Sequence, residues 1–182
     1  MAASPDVTLL VDGYNIIGAW TPLAFCRDRN GLEAAREELI GELANYSAFQ
    51  GYQTRIIFDA HQRRESYGNS ELITDALEIF YTEFGETADS HIEQFCARAR
   101  FQSRASQHRL IVATNDRAQQ LTVLGYGAEW MSAQQLISDI EGIALRIQRQ
   151  QKSNKKTSAR LLSHSLDPAA KRKLERWRHG LS

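Results

Sequence analysis

The chain has two cysteines, Cys26 and Cys96, and neither stands in a CxxC pair or beside clustered histidines. That excludes a disulfide framework and a zinc site built on cysteine, and points to free thiols in a reducing compartment. Long hydrophobic runs are missing as well. The N-terminal one, Val7 to Val11, is five residues, too short for a signal peptide or a membrane span. A cytoplasmic protein without membrane association is expected. There is no GxGxxG after the first strand, no GxxxxGKS or GxxxxGKT, and no GxSxG, so no dinucleotide site, nucleoside-triphosphate cradle or serine nucleophile elbow is signalled. The histidines (His61, His91, His108, His164, His179) are scattered without metal-ligand spacing. Lysine is absent before residue 152.

Net charge is also absent, with 22 basic and 22 acidic residues, but the zero conceals a division. Residues 1–145 hold 11 basic and 20 acidic groups, a net of −9, and residues 146–182 hold 11 basic and 2 acidic groups, a net of +9. All five lysines (Lys152, Lys155, Lys156, Lys171, Lys173) lie in the basic segment. Such a segment can contact a polyanion, fold back on its acidic neighbour, or do each in turn.

What is present is a repeated pattern of apolar runs ending in acids. Val7 to Val11 ends at Asp12, Ile57-Phe58 at Asp59, and Ile111-Val112-Ala113 leads through Thr114 and Asn115 to Asp116. Short continuous apolar runs suit parallel strands covered on both faces. Strands are expected at 7–12, 54–58, 77–82, 110–114 and 128–131. Helices are expected at 31–50, from the Thr87 cap to about Ala105, at 117–124, and from the Ser132 cap to about Gln150. The polar stretch Ala60 to Asn69 reads as a mobile loop. The alternation predicts a three-layer α/β/α domain over residues 1–150 with a mostly parallel five-stranded sheet. Residues 151–182 read as a basic appendage: a tether over 151–166, then a helix opened by Asp167 and Pro168.

In an open α/β sheet, ligands bind beyond the carboxyl ends of the strands. Asp12 and Asp116 fall there, and Asp89, with Glu93 one turn later, lies in the first turn of the Thr87 helix. Carboxylates gathered within a few ångströms repel one another, and a hard divalent cation such as Mg²⁺ or Mn²⁺ relieves the conflict. Such an ion can also supply a water nucleophile and stabilise charge developing on a phosphodiester. Taken singly, each aspartate equally suits a turn or a helix terminus. Asp59 ranks below the others because it can brace the loop that follows it. Asn15 and Asn115 can orient a water or a phosphate oxygen, and Thr114 can donate to a phosphate. Asp12-Gly13-Tyr14 lacks the second aspartate of an aspartyl-phosphate phosphatase.

The segments VDGYNII, GLEAAREELIGEL, IIFDA, GETADSHIE, IVATNDRAQQ and YGAEWMSAQQL, in that order over about residues 7–145, resemble the bacterial YacP-like proteins, NYN domains of the PIN-like nuclease group. The combination of DGYN, ETAD and a late strand ending in an acid is what makes the resemblance specific. It implies a PIN-like fold and metal-dependent endoribonuclease activity, and a ribosome- or translation-linked role for some relatives. The family's first acid falls on Asp12 with Asn15 beside it, the ETAD acid on Asp89 with Glu86 ahead of it, and the late acid on Asp116. Asn115 stands where a serine is expected, a change that can alter substrate placement.

The resemblance thus implies Asp12, Asp89, Asp116, Glu86 and Asn15 as the catalytic set; Asp12, Asp89 and Asp116, joined by Glu93 through its place one turn after Asp89, are expected to hold metal. Single-stranded RNA is the expected partner, with the ribosome as a further one and a monomer as the expected state. Arg27, Arg29, Arg63, Arg64 and Arg117 are candidates for the rim of the cleft. Lys152, Lys155, Lys156, Lys171, Arg172 and Lys173 would add salt-dependent affinity. Tyr14, Trp20 or Tyr67 can stack on an unpaired base, although Tyr14 and Trp20 also suit packing against the 31–50 helix. Two alternatives stand beside this reading: a non-catalytic RNA- or ribosome-binding module, and a phosphatase acting on small phosphoesters, which does not account for the basic appendage.

Overall fold

The computed structural model describes residues 7–59, 70–102 and 108–165. The chain begins with β1 (Val7–Asp12), α1 (Gly13–Ala19), α2 (Thr21–Asn30) and α3 (Leu32–Gln50). Three strands follow, β2 (Gln53–Phe58), β3 (Ser70–Thr74) and β4 (Leu77–Tyr81), then α4 (Ala88–Gln102). The remainder is β5 (Arg109–Ala113), α5 (Arg117–Gly125), β6 (Glu129–Met131) and α6 (Ala133–Ser165). Two compact units result, residues 1–143 and 144–182.

Leu9, Leu10 and Val11 of β1 are fully buried, as a strand covered on both faces requires. β1 pairs in parallel with β2 on one side, Val11 opposite Ile56, and with β5 on the other, Val11 opposite Ala113. The strand order is β3-β4-β2-β1-β5-β6, with β3 antiparallel to β4 at the edge and the other pairings parallel. One side of β1 is filled by β2 and β4, and the chain then crosses to β5 on the other. The strand order therefore switches direction between β1 and β5, where open sheets leave a crevice. Leu10, Ile57 and Val112 pack with Ile92 and Cys96 of α4 and Val123 of α5. Ala35, Leu39, Leu43 and Tyr46 are buried along α3, which together with α1 contacts β2.

The sheet has six strands rather than the expected five. β3 is exposed at every residue, so it offers no buried face for apolar alternation to reveal. The helices α1 and α2 were not anticipated either. α1 is seven residues long, and α2 buries only Leu23, although Pro22 in its first turn is a legible start signal. The expected tether over 151–166 is instead helix as far as Ser165. Residues 151–165 contain no glycine or proline, and Gln, Lys, Arg, Ala and Leu carry the helix through Ser, Asn and Thr at a few tenths of a kcal/mol each. The expected loop at 60–69 and the helix after Asp167 lie outside the described residues.

Candidate active site

The first aspartate is placed by a glycine. A Cβ at Gly13 would lie 2.2 Å from the Phe58 ring, so only glycine lets β1 pass directly into α1 against β2. Asp12 thereby becomes the N-cap of α1, its Oδ1 accepting from the Asn15 N–H at 3.2 Å. Asp116 caps α5 in the same way, accepting from Ala118 N–H at 2.7 Å and Gln119 N–H at 3.1 Å. Asp59 accepts from the Ala88 N–H and so docks the start of α4 beyond the end of β2. Thr87 completes that end, its Oγ1 accepting from Ser90 N–H at 3.1 Å. Asp89 is thus presented from the first turn of α4 at the carboxyl edge of the sheet.

Asp59 and Asp116 act on both Asp12 and Asp89, and Asp89 acts on Asp12. Burial pushes the Asp12 carboxyl up to about 7; the Asn15 N–H opposes this, while Asp89, Asp59 and Asp116 reinforce it. Asp89 lies at the exposed rim, and its carboxyl is also held above the ordinary value, by desolvation first and then by Asp116 and Asp59. Fully burying one aliphatic core side chain contributes roughly 1.5–3 kcal/mol. Leu9, Leu10 and Val11 together therefore outweigh the cost of the carboxylate that follows them.

Gln119 had no place in the sequence reading, yet it ties two of the acids together. Its backbone N–H binds Asp116, and its side-chain Nε2 donates to Asp89 Oδ1 at 2.6 Å. The carboxylate only accepts, which fixes the amide orientation and leaves Oε1 buried without a partner. The available signal was its position, three residues after a helix-capping acid. Asn15 and Asn115 form a relay: Asn15 Oδ1 accepts from Asn115 N–H, and Asn115 Oδ1 accepts from Ala133 N–H at the start of α6, both at 2.8 Å. The asparagine found in place of serine thus fastens the β5–α5 turn to α6. Thr114 is fully buried and its Oγ1 accepts from Asp116 N–H at 3.0 Å, so its hydroxyl shapes the turn.

The other candidates are placed apart. Glu86 engages His91 Nδ1 at 3.4 Å and Gln94 Nε2 at 3.3 Å, and Glu93 accepts from Tyr126 OH at 3.3 Å. Neither contributes to the field that raises Asp12 and Asp89, whereas Asp59 does. Trp20 is buried and donates to Glu141 at 3.3 Å, which removes it as a base-stacking platform. Tyr14 packs on Phe58 with centroids 5.1 Å apart, and its OH accepts from Arg36 of α3 at 2.9 Å. Arg27 pairs with Asp28, Arg29 lies over Phe25, and Arg117 is exposed at the first position of α5 beside Asp116. Lys152 is exposed on α6, and Lys155 and Lys156 lie on the same helix. Arg63, Arg64, Tyr67, Lys171, Arg172 and Lys173 lie outside the described residues.

An all-oxygen set headed by a buried aspartate at about 7 has the chemistry of a site for a hard divalent cation. Among the described residues, no three His, Cys, Asp or Glu side chains converge tightly enough to hold an ion as they stand. The caps made by Asp12, Asp59 and Asp116 account for that, since each turns an oxygen toward backbone N–H groups.

A family model described as the YacP-like NYN domain matches residues 9–179. An uncharacterized protein YacP of Bacillus subtilis (strain 168) is 33% identical over 174 residues, covering 94% of this chain and 96% of its own. The crystal structure of Rae1 (YacP) from Bacillus subtilis aligns at a TM-score of 0.65 and 32% identity over 95% of each chain. A tryptophan-to-leucine mutant of the same protein gives a TM-score of 0.66 at 33% identity, covering 88% of this chain and 85% of that one.

Proposed function

The chain belongs to the YacP-like NYN domain family, and from that premise we propose that it is a metal-dependent endoribonuclease acting on single-stranded RNA. The observation that carries the proposal is the buried Asp12, pushed up to about 7 at the switch point of the sheet, with Asp89, Asp59 and Asp116 acting on it. Helix capping alone does not require four acids to share one edge.

Asp12, Asp89 and Asp116 are the residues that would hold Mg²⁺ or Mn²⁺, with Asp59 adjoining. A bound ion would supply charge neutralisation and an activated water at a phosphodiester. Gln119 keeps Asp89 directed into the cluster. The Asn15–Asn115 relay holds the turn that carries Asp116. Arg117, exposed next to Asp116, is the cation placed to meet an incoming phosphate. The basic residues of 146–182 supply affinity for the RNA backbone, and ribosome-engaged RNA is the substrate we favour. No helix among the described residues is long and apolar enough to cross a membrane. Free Cys26 and Cys96 accord with a cytoplasmic setting.

The test is cleavage of free and ribosome-engaged RNA, with and without Mg²⁺ or Mn²⁺, by the wild type and by Asp12→Asn and Asp89→Asn. Metal-dependent cleavage lost in both variants, with circular dichroism unchanged, is expected. Cleavage that persists in the double variant sinks the assignment. The caps on Asp12, Asp59 and Asp116 favour one second reading, a module that binds RNA without cutting it. It requires RNA binding that neither chelation nor Asp12→Asn alters.

A further inference from the structure

The loop from β4 to α4 carries Phe84, which is 97% exposed between Glu83 and Gly85. A lone exposed apolar residue needs no explanation. This one borders a cavity of about 640 Å³, on whose wall the His91 ring stacks on Phe80 with centroids 3.9 Å apart and 19° between planes. A second cavity of about 190 Å³ adjoins it along α4, since His91, Gln94 and Arg98 line both. The wall is polar where it is not aromatic.

Charge orders the groove. At the loop end stand Glu83, which is exposed, and Glu86, which is engaged by His91 and Gln94. At the far end Arg55 is paired with Glu78, whereas Arg98 meets only the Gln94 side-chain oxygen, at 3.3 Å, and no carboxylate among the described residues. A neutral, flat group therefore suits the Phe84 end and an anion suits the Arg98 end. Glu86 and Ser90 of the groove wall flank Asp89 in sequence by three residues and one, while the 3.6-residue turn of α4 sets His91, Gln94 and Arg98 on the flank away from Asp89.

Resting on the RNA-cleaving function proposed above, we propose that this groove is a subsite for one unpaired nucleotide of the substrate strand, with its base on Phe84 and its phosphate toward Arg98. Aromatic stacking holds any base by its π face, and a cation at the other end fixes the strand's direction along α4. Neither contact involves the carboxylates that would hold metal, so the subsite sets substrate placement and leaves the cleavage chemistry to the cluster.

The experiment uses the full chain and single-stranded RNA in which each position in turn is made abasic. Phe84→Ala should lower kcat/KM on the intact strand roughly tenfold, the loss expected for one base stack. Phe84→Trp should restore it. Removing one particular base should slow the wild type and leave Phe84→Ala unaffected. Arg98→Gln should raise KM without changing which base is sensed. If Phe84→Ala cleaves every strand as the wild type does, the subsite is overturned while the nuclease reading stands. If the wild type cleaves neither free nor ribosome-engaged RNA, the nuclease reading fails, and an RNA carrying 2-aminopurine decides about the groove. Fluorescence quenching on binding that disappears in Phe84→Ala supports it, and equal quenching, or none, overturns it.

Discussion

A carboxylate after a buried strand costs free energy, and Asp12 shows how the cost is distributed. Its carboxyl titrates near 3.9 in an unfolded chain and at about 7 here. Between those values the folded state holds one more proton than the unfolded state, so this group's contribution to stability falls as pH rises from about 4 through 7. Asp12→Asn imitates the protonated acid and keeps the cap on Asn15, because asparagine caps as well as aspartate. Urea unfolding should find the variant more stable than wild type by about 1.5 kcal/mol at pH 5 and by up to ~4 kcal/mol at pH 8. A variant equally destabilised at both values would remove Asp12 from any electrostatic role. Gln119→Leu is the matching change at Asp89. The buried Oε1 already lacks a partner, so stability should change by less than ~1 kcal/mol. The Mn²⁺ concentration needed for half-maximal cleavage should rise severalfold, because Asp89 is then free to rotate out of the cluster.

At the scale of elements, α4 is the unit that brings an acid to the site, and it is held there by Asp59 and Thr87. Asp59→Ala should cost about 1 kcal/mol in thermal or urea unfolding, as loss of an N-terminal acceptor does. Asp59→Asn should restore that stability and still weaken the response to Mn²⁺, since it keeps the acceptor and removes the charge. Equal metal responses in Asp59→Asn and wild type would leave Asp59 with capping alone. The same physics decides what could be read from the sequence. β1, β2 and β5 announce themselves because strands covered on both faces must be apolar throughout, and Thr87 and Ser132 announce helices because their hydroxyls bond backbone N–H groups at 90 and 135. β3 buries no residue, and α1 and α2 carry too little apolar periodicity, so nothing forced a pattern on them. Of the site, Asp12, Asp89 and Asp116 were legible as ends of elements. Gln119 and the closeness of Asp59 were not, because both depend on which strands become neighbours.

Over the whole molecule the dominant quantity is the division of charge, −9 over residues 1–145 and +9 over residues 146–182. A cleft built from acids repels a polyanion, so in the proposed function the affinity must come from elsewhere in the chain. Phosphate contacts release counterions, and log K for single-stranded RNA falls with log salt at a slope of about −0.7 per contact. Lys152 is exposed on α6, and with Lys155 and Lys156 it lies on helix rather than on a slack tether, so their backbone positions are evenly spaced along the axis. Changing these three to glutamine should reduce the magnitude of the salt slope by about 2, measured by anisotropy between 50 and 200 mM salt. Cleavage at saturating RNA should be unchanged, because these side chains hold the backbone and take no part at the acid cluster. Arg117→Gln should do the reverse, with a slope change below ~1 and a slower saturated rate, because it stands beside Asp116. A triple variant with an unaltered slope would move RNA affinity to other basic groups of the chain. The two effects separate holding the strand from cutting it, which a whole-chain charge of zero conceals.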